Sequence, residues 1–460
     1  MPASIAIIGA GYSGALTAVN LARHGADRGL RLTLIGRQPH FGRGLAYGTW
    51  DDNLLLNVPA GNMSALAGEP GHFLDYCRNI DPHFNSGTFL PRRIYGDYLE
   101  DTLRAARDAG GIALDLITAE VSAVRRNVGA AGWWVSLADG RRIHADRVVL
   151  ALGHSPPRTP RPLAGLAGTP NYVANPWDGA ALDRIASLGT IALLGAGHTA
   201  IDTLFRLSSR GADATCYLLS RHGLLPHGHR LTPKAPPVGD FPEYMPGGSQ
   251  TTVRACLHAL RGEVRSRQAR GGDWRDVLNE LRPHTPRIWA QWDLAQRRRF
   301  LDRLRSHWDV HRHRLAPSAH LRLARLIESG QVQRVAGRIA EARWEGGQIV
   351  LNLLHPATGA TTVLRAAALV NCTGPEYDIE RWGLPLVQQL RDDGMLTPDA
   401  LRLGIQVDEG YRVVGQDAKP VSGLFYVGPM LRAAYWEAIA VPELRVHCDR
   451  LARALCPATA

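Results

Sequence analysis

The feature that most constrains the fold is a GxGxxG pattern formed by Gly9, Gly11 and Gly14. It follows the apolar segment 4–8 and precedes a helical segment, a context typical of the first βαβ unit of a dinucleotide-binding fold. Such glycines permit a tight turn, the approach of a pyrophosphate to the backbone, and close packing of helix on strand. Because amides at a helix N-terminus attract phosphate, Ser13 is a further candidate contact. The alternative is a turn that binds no ligand.

The acidic residue that usually binds the adenosine ribose is missing from this first unit. About 20 residues after the glycines, where Asp or Glu should end the second strand, the chain reads Gly36-Arg37. Either water and backbone hold the ribose, or the nucleotide binds in a different pose. We keep Arg37 as a candidate cofactor contact.

A second glycine turn, at Gly195 and Gly197, also follows an apolar segment, and alanine takes the third position. Thr199 lies at the start of the helix that follows. The next predicted strand ends at Ser220 and Arg221 and offers no acid for a ribose 2′-hydroxyl. Because arginine suits a 2′-phosphate, the pattern favours NADPH over NADH. The alternative for Arg221 is a solvated side chain in an arginine-rich protein.

Three more segments have the form of a buried strand followed by glycine. VVLALGH ends near Gly153, ALVNCTGP near Gly374 and GLFYVGP at Gly428. The first two resemble the crossings between the FAD and NADPH domains of two-dinucleotide flavoproteins, and the third resembles the late strand beside the flavin ribityl chain. The order of all these elements agrees with one topology.

Five longer segments carry the signature of a family. On these segments the chain resembles the bacterial FAD-NAD(P)-binding family, whose architecture is similar to the class B flavin monooxygenases, including the N-hydroxylases of ornithine and lysine. Some related proteins oxidise amino-acid nitrogen, that of aspartate among them. The segments are FGRGLAYGT (41–49), LLLNVPAGNMSAL (54–66), PRRIYGDYL (91–99), VNCTGP (370–375) and WEAIAVPELR (436–445).

The resemblance implies which residues contact the cofactors. The first three glycines would hold the FAD pyrophosphate, and Gly195, Gly197 and Arg221 would lie near NADPH. Gly36 departs from the pattern, since many members carry Glu there. We take Asn57, a polar residue expected near the flavin, as the one candidate catalytic side chain. The residues implied to lie near the flavin are Gly44, Asn57, Val58 and Gly428.

The expected function is that of an NADPH-dependent, FAD-containing monooxygenase. NADPH would reduce FAD, and a flavin C4a-(hydro)peroxide would oxidise a small nucleophilic substrate such as an amine or an amino-acid nitrogen. Because the cofactor carries this chemistry, no acid–base pair is required in the sequence. The expected partners are molecular oxygen and a small molecule, an amine or an acidic amino acid.

Three other functions stay open at this stage. The chain could be an FAD/NADPH reductase that passes electrons to a partner protein or a quinone without oxygen insertion. It could also be a non-enzymatic flavin-binding sensor. A thiol-disulfide oxidoreductase is disfavoured, since none of the six cysteines forms CxxC.

The order of the motifs predicts an α/β fold with two Rossmann-like dinucleotide-binding domains. A discontinuous FAD domain is expected over 1–165 and 331–460, and an NADPH domain over 166–225. A Pro-rich hinge at 154–163 separates their first parts. Residues 226–330 have helical periodicity and are predicted to form an insertion that caps the substrate or NADPH.

The charge of the chain has a local origin. The 460 residues carry a net charge of +11, and of the 53 basic residues only Lys234 and Lys419 are lysine. Segment 261–330 alone holds 16 Arg against 8 acidic residues. Apolar residues recur among those arginines at helical spacing, which indicates solvated helix faces rather than a nucleic-acid surface. The binding of two anionic dinucleotides explains the net positive charge of the chain better than nucleic-acid binding does.

Other features indicate neither a metal site nor a membrane protein. His227 and His229 form HxH, and His307, His311 and His313 lie close together in the sequence, but no carboxylate or thiolate completes an obvious metal site. A structural network of polar side chains, or a contact with substrate or NADPH, explains these five histidines better than a metal site does. No apolar run approaches 18 residues, so no membrane span and a cytoplasmic location are expected.

Overall fold

The computed structural model describes residues 3–26, 29–49, 51–209, 214–232, 239–248 and 251–456. The strands within these ranges are β1 (Ser4–Ile8), β2 (Arg31–Gly36), β3 (Ala113–Thr118), β4 (Val121–Arg126), β5 (Trp133–Leu137), β6 (Arg142–Ala145), β7 (Arg147–Leu150), β8 (Tyr172–Val173), β9 (Thr190–Leu194), β10 (Thr215–Ser220), β11 (Val332–Ala336), β12 (Arg338–Glu345), β13 (Gln348–Leu354), β14 (Thr361–Ala366), β15 (Ala368–Asn371), β16 (Arg412–Val414) and β17 (Pro420–Tyr426).

The α-helices of the same ranges are α1 (Tyr12–Gly25), α2 (Gly44–Tyr47), α3 (His72–Ile80), α4 (Arg92–Asp108), α5 (Gly179–Ile185), α6 (His198–Ser208), α7 (Val253–Ala269), α8 (Trp274–Leu281), α9 (Thr285–Gln291), α10 (Leu294–Arg303), α11 (Arg305–Arg312), α12 (Pro317–Glu328), α13 (Pro385–Asp392) and α14 (Val441–Leu455).

The first large sheet has six strands in the order β16-β17-β7-β1-β2-β3. Strand β1 pairs in parallel with β2 on one side and with β7 on the other, so that Ile5 lies opposite both Leu32 and Arg147. All but the first residue of β1 are buried, as expected for a strand covered on both faces. The strand order reverses between β1 and β7, and ligands of such folds bind at the carboxyl ends of the strands at this kind of switch point.

The second large sheet has five strands in the order β11-β10-β9-β15-β8. Strand β9 lies between β10 and β15, with Ile191 opposite Cys216 and Ala368, and both pairings are parallel. The arrangement repeats that of β1 between β2 and β7. Two three-stranded antiparallel sheets, β4-β5-β6 and β12-β13-β14, each lead into the strand that follows them, β7 and β15.

These two sheets confirm the predicted fold class of paired Rossmann-like units with helices added. The proposed boundary of the FAD domain needs a correction, because β11 and β15 both belong to the second sheet. Residues 332–371, which the sequence assigned to the FAD domain, therefore extend the NADPH unit. Local periodicity marks a strand, but the choice of its parallel partner depends on long-range packing. We now propose that the chain returns to the FAD domain near Gly374.

The insertion packs on the FAD domain through a separate aromatic core. Trp289 stacks on Trp436 with ring centroids 4.7 Å apart, and Phe300 contacts Trp436 edge-on at 5.1 Å. The Trp289 indole N–H donates to the carbonyl oxygen of Ala433 at 2.9 Å. This core fixes helices α7 to α11 against the segment that leads into α14. No helix in the described part of the chain is long and apolar enough to cross a membrane.

Candidate functional site

The first glycine turn leaves no space for side chains at two of its three glycines. Gly9 has a φ of +108°, and a Cβ there would lie 2.2 Å from the carbonyl oxygen of Ala151. A Cβ on Gly14 would lie 1.8 Å from the carbonyl oxygen of Gly9, so helix α1 can approach β1 this closely only with glycine. Gly11 lies against Gly44, where a Cβ would be 3.4 Å from the Gly44 Cα.

The start of α1 is suited to bind a diphosphate. Among the described residues no side chain caps this terminus, and its first turn contains no acidic residue. The free amides and the positive end of the helix dipole therefore favour an anion. Gly428, with a φ of +144°, lies beside this terminus, since a Cβ there would be 3.8 Å from Ser13 Oγ. The geometry and charge of this cradle fit the pyrophosphate of FAD, and the contacts of its individual residues with FAD stay predictions.

The structure gives a physical reason for the missing acid at the end of β2. A Cβ on Gly36 would lie 2.5 Å from the Cβ of Ala10, which belongs to the glycine turn itself. The position therefore excludes a carboxylate unless the turn shifts. The neighbouring Arg37 is exposed and remains a predicted contact.

The second glycine turn repeats the hydrogen bonds of the first. Gly9 N donates to Ile35 O at 2.8 Å, and Gly195 N donates to Leu219 O at 2.8 Å. A Cβ on Gly195 would lie 2.4 Å from the carbonyl oxygen of Cys372, whereas one on Gly197 would have no described atom within 4 Å apart from those of its own chain segment. The open space at Gly197 allows a ligand to approach the start of α6. Helix α6 also begins without an acidic residue in its first turn and, among the described residues, without a side-chain cap.

The two crossing segments and the end of β10 complete the predicted cofactor contacts. Gly153 follows β7 and Gly374 follows β15, both with positive φ (+68° and +90°), where the chain passes between the two sheets. Ser220 ends β10, and Arg221 is exposed immediately after it. The roles of all these residues in binding remain predictions.

A cavity of about 400 Å³ lies where the two dinucleotide units and the insertion meet. Four of the predicted residues line it: Asn57, Val58, Thr199 and Gly374. The Asn57 carbonyl oxygen accepts a hydrogen bond from His229 Nε2 at 3.0 Å, which ties the flavin-side segment to the chain beyond β10. The other predicted residues are not part of the cavity wall.

Four histidines line the cavity, and burial keeps each of them neutral. Desolvation lowers the pKa of His154 and His198 to about 4 and that of His229 to about 3, and the pKa of His313 is lowered as well. Nearby arginines add to each shift, because a second positive charge is unfavourable there. His198 Nε2 lies 3.0 Å from the carbonyl oxygen of His313. These rings can therefore donate or accept hydrogen bonds without carrying charge.

Arginines are the main charged groups of the cavity wall. Arg92, the first residue of α4, pairs with Asp202 of α6 at 2.6 Å and so joins the two dinucleotide units. Asp202 is the only carboxylate among the described residues of the wall. The arginines of the wall are Arg92, Arg230, Arg275, Arg282, Arg312 and Arg314.

Sequence reasoning did not assign the arginine side of this cavity. The segment WDVHRHRLAP supplies Arg312, His313 and Arg314 to the cavity wall. In the sequence, however, its alternating basic residues resemble the solvated end of a helix. Two of the five histidines considered as a metal or substrate group, His229 and His313, do reach the cavity. Within the described ranges no three His, Cys, Asp or Glu residues are grouped to hold a metal ion. Cys372 is buried, which raises its pKa to about 12 and makes it a poor nucleophile.

Residues 6–155 match the family model described as FAD-NAD(P)-binding. This match confirms the resemblance predicted for the N-terminal part of the chain, and this region is an FAD-NAD(P)-binding domain. No curated protein matches the sequence.

Three solved structures illustrate the fold to which the whole chain is similar. The L-lysine 6-monooxygenase from Pseudomonas syringae has a TM-score of 0.65 at 19% identity, over 98% of each chain. The FAD-bound cadaverine monooxygenase from Erwinia amylovora has a TM-score of 0.67 at 14% identity, over 98% of this chain and 94% of that one. The ornithine N-hydroxylase from Kutzneria sp. 744, with reduced FAD, NADP⁺ and L-ornithine, has a TM-score of 0.63 at 16% identity, over 97% of each chain. They confirm the predicted architecture.

Proposed function

Because residues 6–155 form an FAD-NAD(P)-binding domain, we propose that this protein is an NADPH-dependent FAD monooxygenase that oxygenates the nitrogen of a small amine. The observation that carries the proposal is the cavity between the two glycine turns. Its wall combines Asn57 and Val58 from the flavin side with His198 and Thr199 from the start of α6. A substrate held there would meet both dinucleotides. The similar solved structures, named as an ornithine N-hydroxylase, an L-lysine 6-monooxygenase and a cadaverine monooxygenase, support this reading.

FAD, when bound, would supply the transfer of a hydride from NADPH and the activation of molecular oxygen. Gly9, Gly11 and Gly14 would hold its pyrophosphate, and Gly44 and Gly428 would border it. Gly195, Gly197 and the start of α6 would hold NADPH. The overall reaction is balanced as RNH₂ + O₂ + NADPH + H⁺ giving RNHOH + NADP⁺ + H₂O. We include a cytoplasmic location in this proposal.

The chain itself would prepare the amine for oxygenation. A nitrogen is nucleophilic only as the free base, and nearby positive charges lower the pKa of an ammonium group. The arginines of the wall would therefore favour the neutral amine at the cavity. The neutral His229 would keep its Nε2–H on the carbonyl oxygen of Asn57, which leaves its Nδ1 as a hydrogen-bond acceptor. The side chain of Asn57 would orient the substrate.

The test is a product assay on the FAD-loaded protein with NADPH, oxygen and a panel of small amines. We expect at least one amine to accelerate NADPH oxidation and to yield a hydroxylamine in proportion to the oxygen consumed. NADPH oxidation that needs no oxygen and is supported by a quinone or a protein acceptor would establish a reductase instead. Negligible turnover with every acceptor would indicate a flavin-binding sensor.

Replacing Arg221 by Ala tests the preference for NADPH. If Arg221 binds the 2′-phosphate, we expect kcat/KM for NADPH to fall roughly 10- to 100-fold and that for NADH to stay the same. A charge-assisted hydrogen bond contributes about 1.5–3 kcal/mol, which sets this range. Steady-state rates with both nucleotides measure it. Equal changes for the two nucleotides would show that Arg221 is not the 2′-phosphate ligand.

A further inference from the structure

A buried ion pair connects the two dinucleotide units at the cavity. Arg92 begins α4 in the FAD domain, and its Nη2 lies 2.6 Å from Asp202 Oδ2 of α6 in the NADPH unit. The two side chains are 12% and 15% exposed, and both residues line the cavity. Removing either partner would leave a buried charge without compensation, which is strongly unfavourable. The pair therefore favours the one arrangement of the two units in which these side chains meet.

Arg92 is anchored to the flavin-side segment of the cavity as well as to Asp202. Its backbone N–H donates to the carbonyl oxygen of Leu54 at 2.8 Å, and its Nε–H donates to that of Leu55 at 3.1 Å. The same segment continues into residues 57–58, which line the cavity on the predicted flavin side. The Arg92 side chain therefore links the position of this segment to that of Asp202.

Asp202 lies one helical turn after the start of α6, where we propose that NADPH binds. His198, the first residue of α6, and Thr199 both line the cavity. Because hydrogen bonds between residues four apart hold each turn of a helix together, a shift of Asp202 also shifts these residues and the free amides beside them. Through Arg92, the start of α6 therefore keeps a defined position relative to the flavin-side segment.

Asp202 acts as a partner of Arg92 rather than as a ligand for a substrate ammonium group. Burial raises the pKa of its carboxyl group, and the charge of Arg92 opposes that rise. An ammonium group that took Asp202 from Arg92 would leave the guanidinium group buried without its counter-charge. The pair is therefore a connection within the protein that a substrate has no reason to break.

We propose that Arg92 and Asp202 form an interdomain latch that positions the two dinucleotides for hydride transfer. The inference rests on the proposed function, because it requires that NADPH reduces FAD. In that step a hydride carries two electrons from NADPH to FAD, one proton is taken up, and NADP⁺ is left. Reacting atoms must come within about 3–3.5 Å of each other, and a misplacement of about 1 Å can slow a reaction about 100-fold. Both residues are positioning residues and take no part in the chemistry.

The test measures the anaerobic reduction of the FAD-loaded protein by NADPH in a stopped-flow instrument, with no amine present. We expect Asp202→Asn to lower the rate constant at saturating NADPH about 10- to 100-fold and to leave the Kd of NADPH nearly unchanged. Reduction by dithionite, which needs no nucleotide, should keep its rate, and the ratio of flavin to protein should stay the same. An unchanged rate constant in Asp202→Asn, or a loss confined to the Kd, would overturn the inference.

Further variants separate a latch from a general loss of structure. Arg92→Gln should slow reduction as much as Asp202→Asn does, and the double variant should be no slower than either one, because the two residues act as a pair. Asp202→Glu keeps the charge and should recover part of the rate. Asp183→Asn is the matched control and should change nothing, since Asp183 pairs with Arg206 of α6 at 3.2 Å within the NADPH unit. Losses that multiply in the double variant would show two independent roles and contradict the latch.

Spin labels give a readout that needs no turnover. All six cysteines are buried, so Ala105→Cys on α4 and Ser209→Cys after α6, both at exposed positions, provide the labelling sites. We expect one narrow distribution of distances between the labels in the otherwise unchanged chain and a broader one with Asp202→Asn, whereas the Asp183→Asn control keeps the narrow one. Identical distributions in all three proteins would refute the latch. If Asp202→Asn fails to fold, Asp202→Glu serves for both measurements, because its longer side chain also displaces α6.

Neither measurement depends on oxygenation. If Asp202→Asn slows reduction and broadens the distances but no amine gives a hydroxylamine, the monooxygenase proposal fails and the latch stands. If the unchanged chain converts an amine to its hydroxylamine while Asp202→Asn is reduced at the same rate, the latch is wrong and the monooxygenase proposal stands.

Discussion

Replacing Gly14 by Ala is expected to give a protein that no longer retains FAD. The new Cβ would lie 1.8 Å from the carbonyl oxygen of Gly9 and 3.3 Å from the Cβ of Ala151. Because the first contact is with backbone, α1 would have to move away from β1. Overpacking typically destabilises a core by about 1–3 kcal/mol, and we expect the upper end of this range here because the clash is with backbone. The same movement would displace the helix amides from the pyrophosphate.

The measurements are the ratio of flavin to protein after purification and the free energy of unfolding in urea. Gly68→Ala is the matched control, because no described atom beyond its chain neighbours lies within 4 Å of the position of its Cβ. We expect the control to keep both its flavin and its stability. A Gly14→Ala protein that purifies with a full complement of FAD would show that the glycine turn does not bind the cofactor.

Replacing Glu437 by Gln is expected to destabilise the junction between the insertion and the FAD domain. Glu437 is 1% exposed, accepts a hydrogen bond from the Trp308 indole N–H at 3.0 Å, and lies 3.1 Å from Arg312 Nη2. Glutamine preserves the shape and the bond to Trp308 but removes the charge. Leaving Arg312 buried with too little compensation should lower the free energy of unfolding by about 3 kcal/mol.

Urea unfolding followed by tryptophan fluorescence measures this effect. The control is Glu380→Gln, which removes a carboxylate that pairs with Arg402 on the surface and should change the stability little, since exposed pairs contribute little. A second replacement, Arg312→Met, in the Glu437→Gln protein should recover part of the loss, because it removes the uncompensated charge. If Glu437→Gln is as stable as the unchanged chain, the buried pair does not hold the insertion in place.

Local signals in the sequence determined the two Rossmann-like units. A strand, a glycine turn and a helix occur together in a short stretch of chain, and the steric demand at Gly14, where a Cβ would meet the carbonyl oxygen of Gly9, is itself local. The same holds for the crossings at Gly153 and Gly374, where a positive φ favours glycine. The helical character of the insertion follows from apolar spacing within each helix. These features could be predicted because neighbouring residues alone create them.

Only the tertiary structure decided which side chains meet in the cavity. Arg92, His198 and Arg314 come from distant parts of the chain, and the insertion brings its arginines inward by packing Trp289 on Trp436. Periodicity indicates that a helix has a polar face, but not whether that face meets water or another domain. Long-range packing likewise placed β11 and β15 in the second sheet. The sequence therefore determined the two dinucleotide units. The docking of the insertion decided the charge of the cavity between them, because a buried arginine loses its water and must be balanced by the counter-charges that the fold places near it.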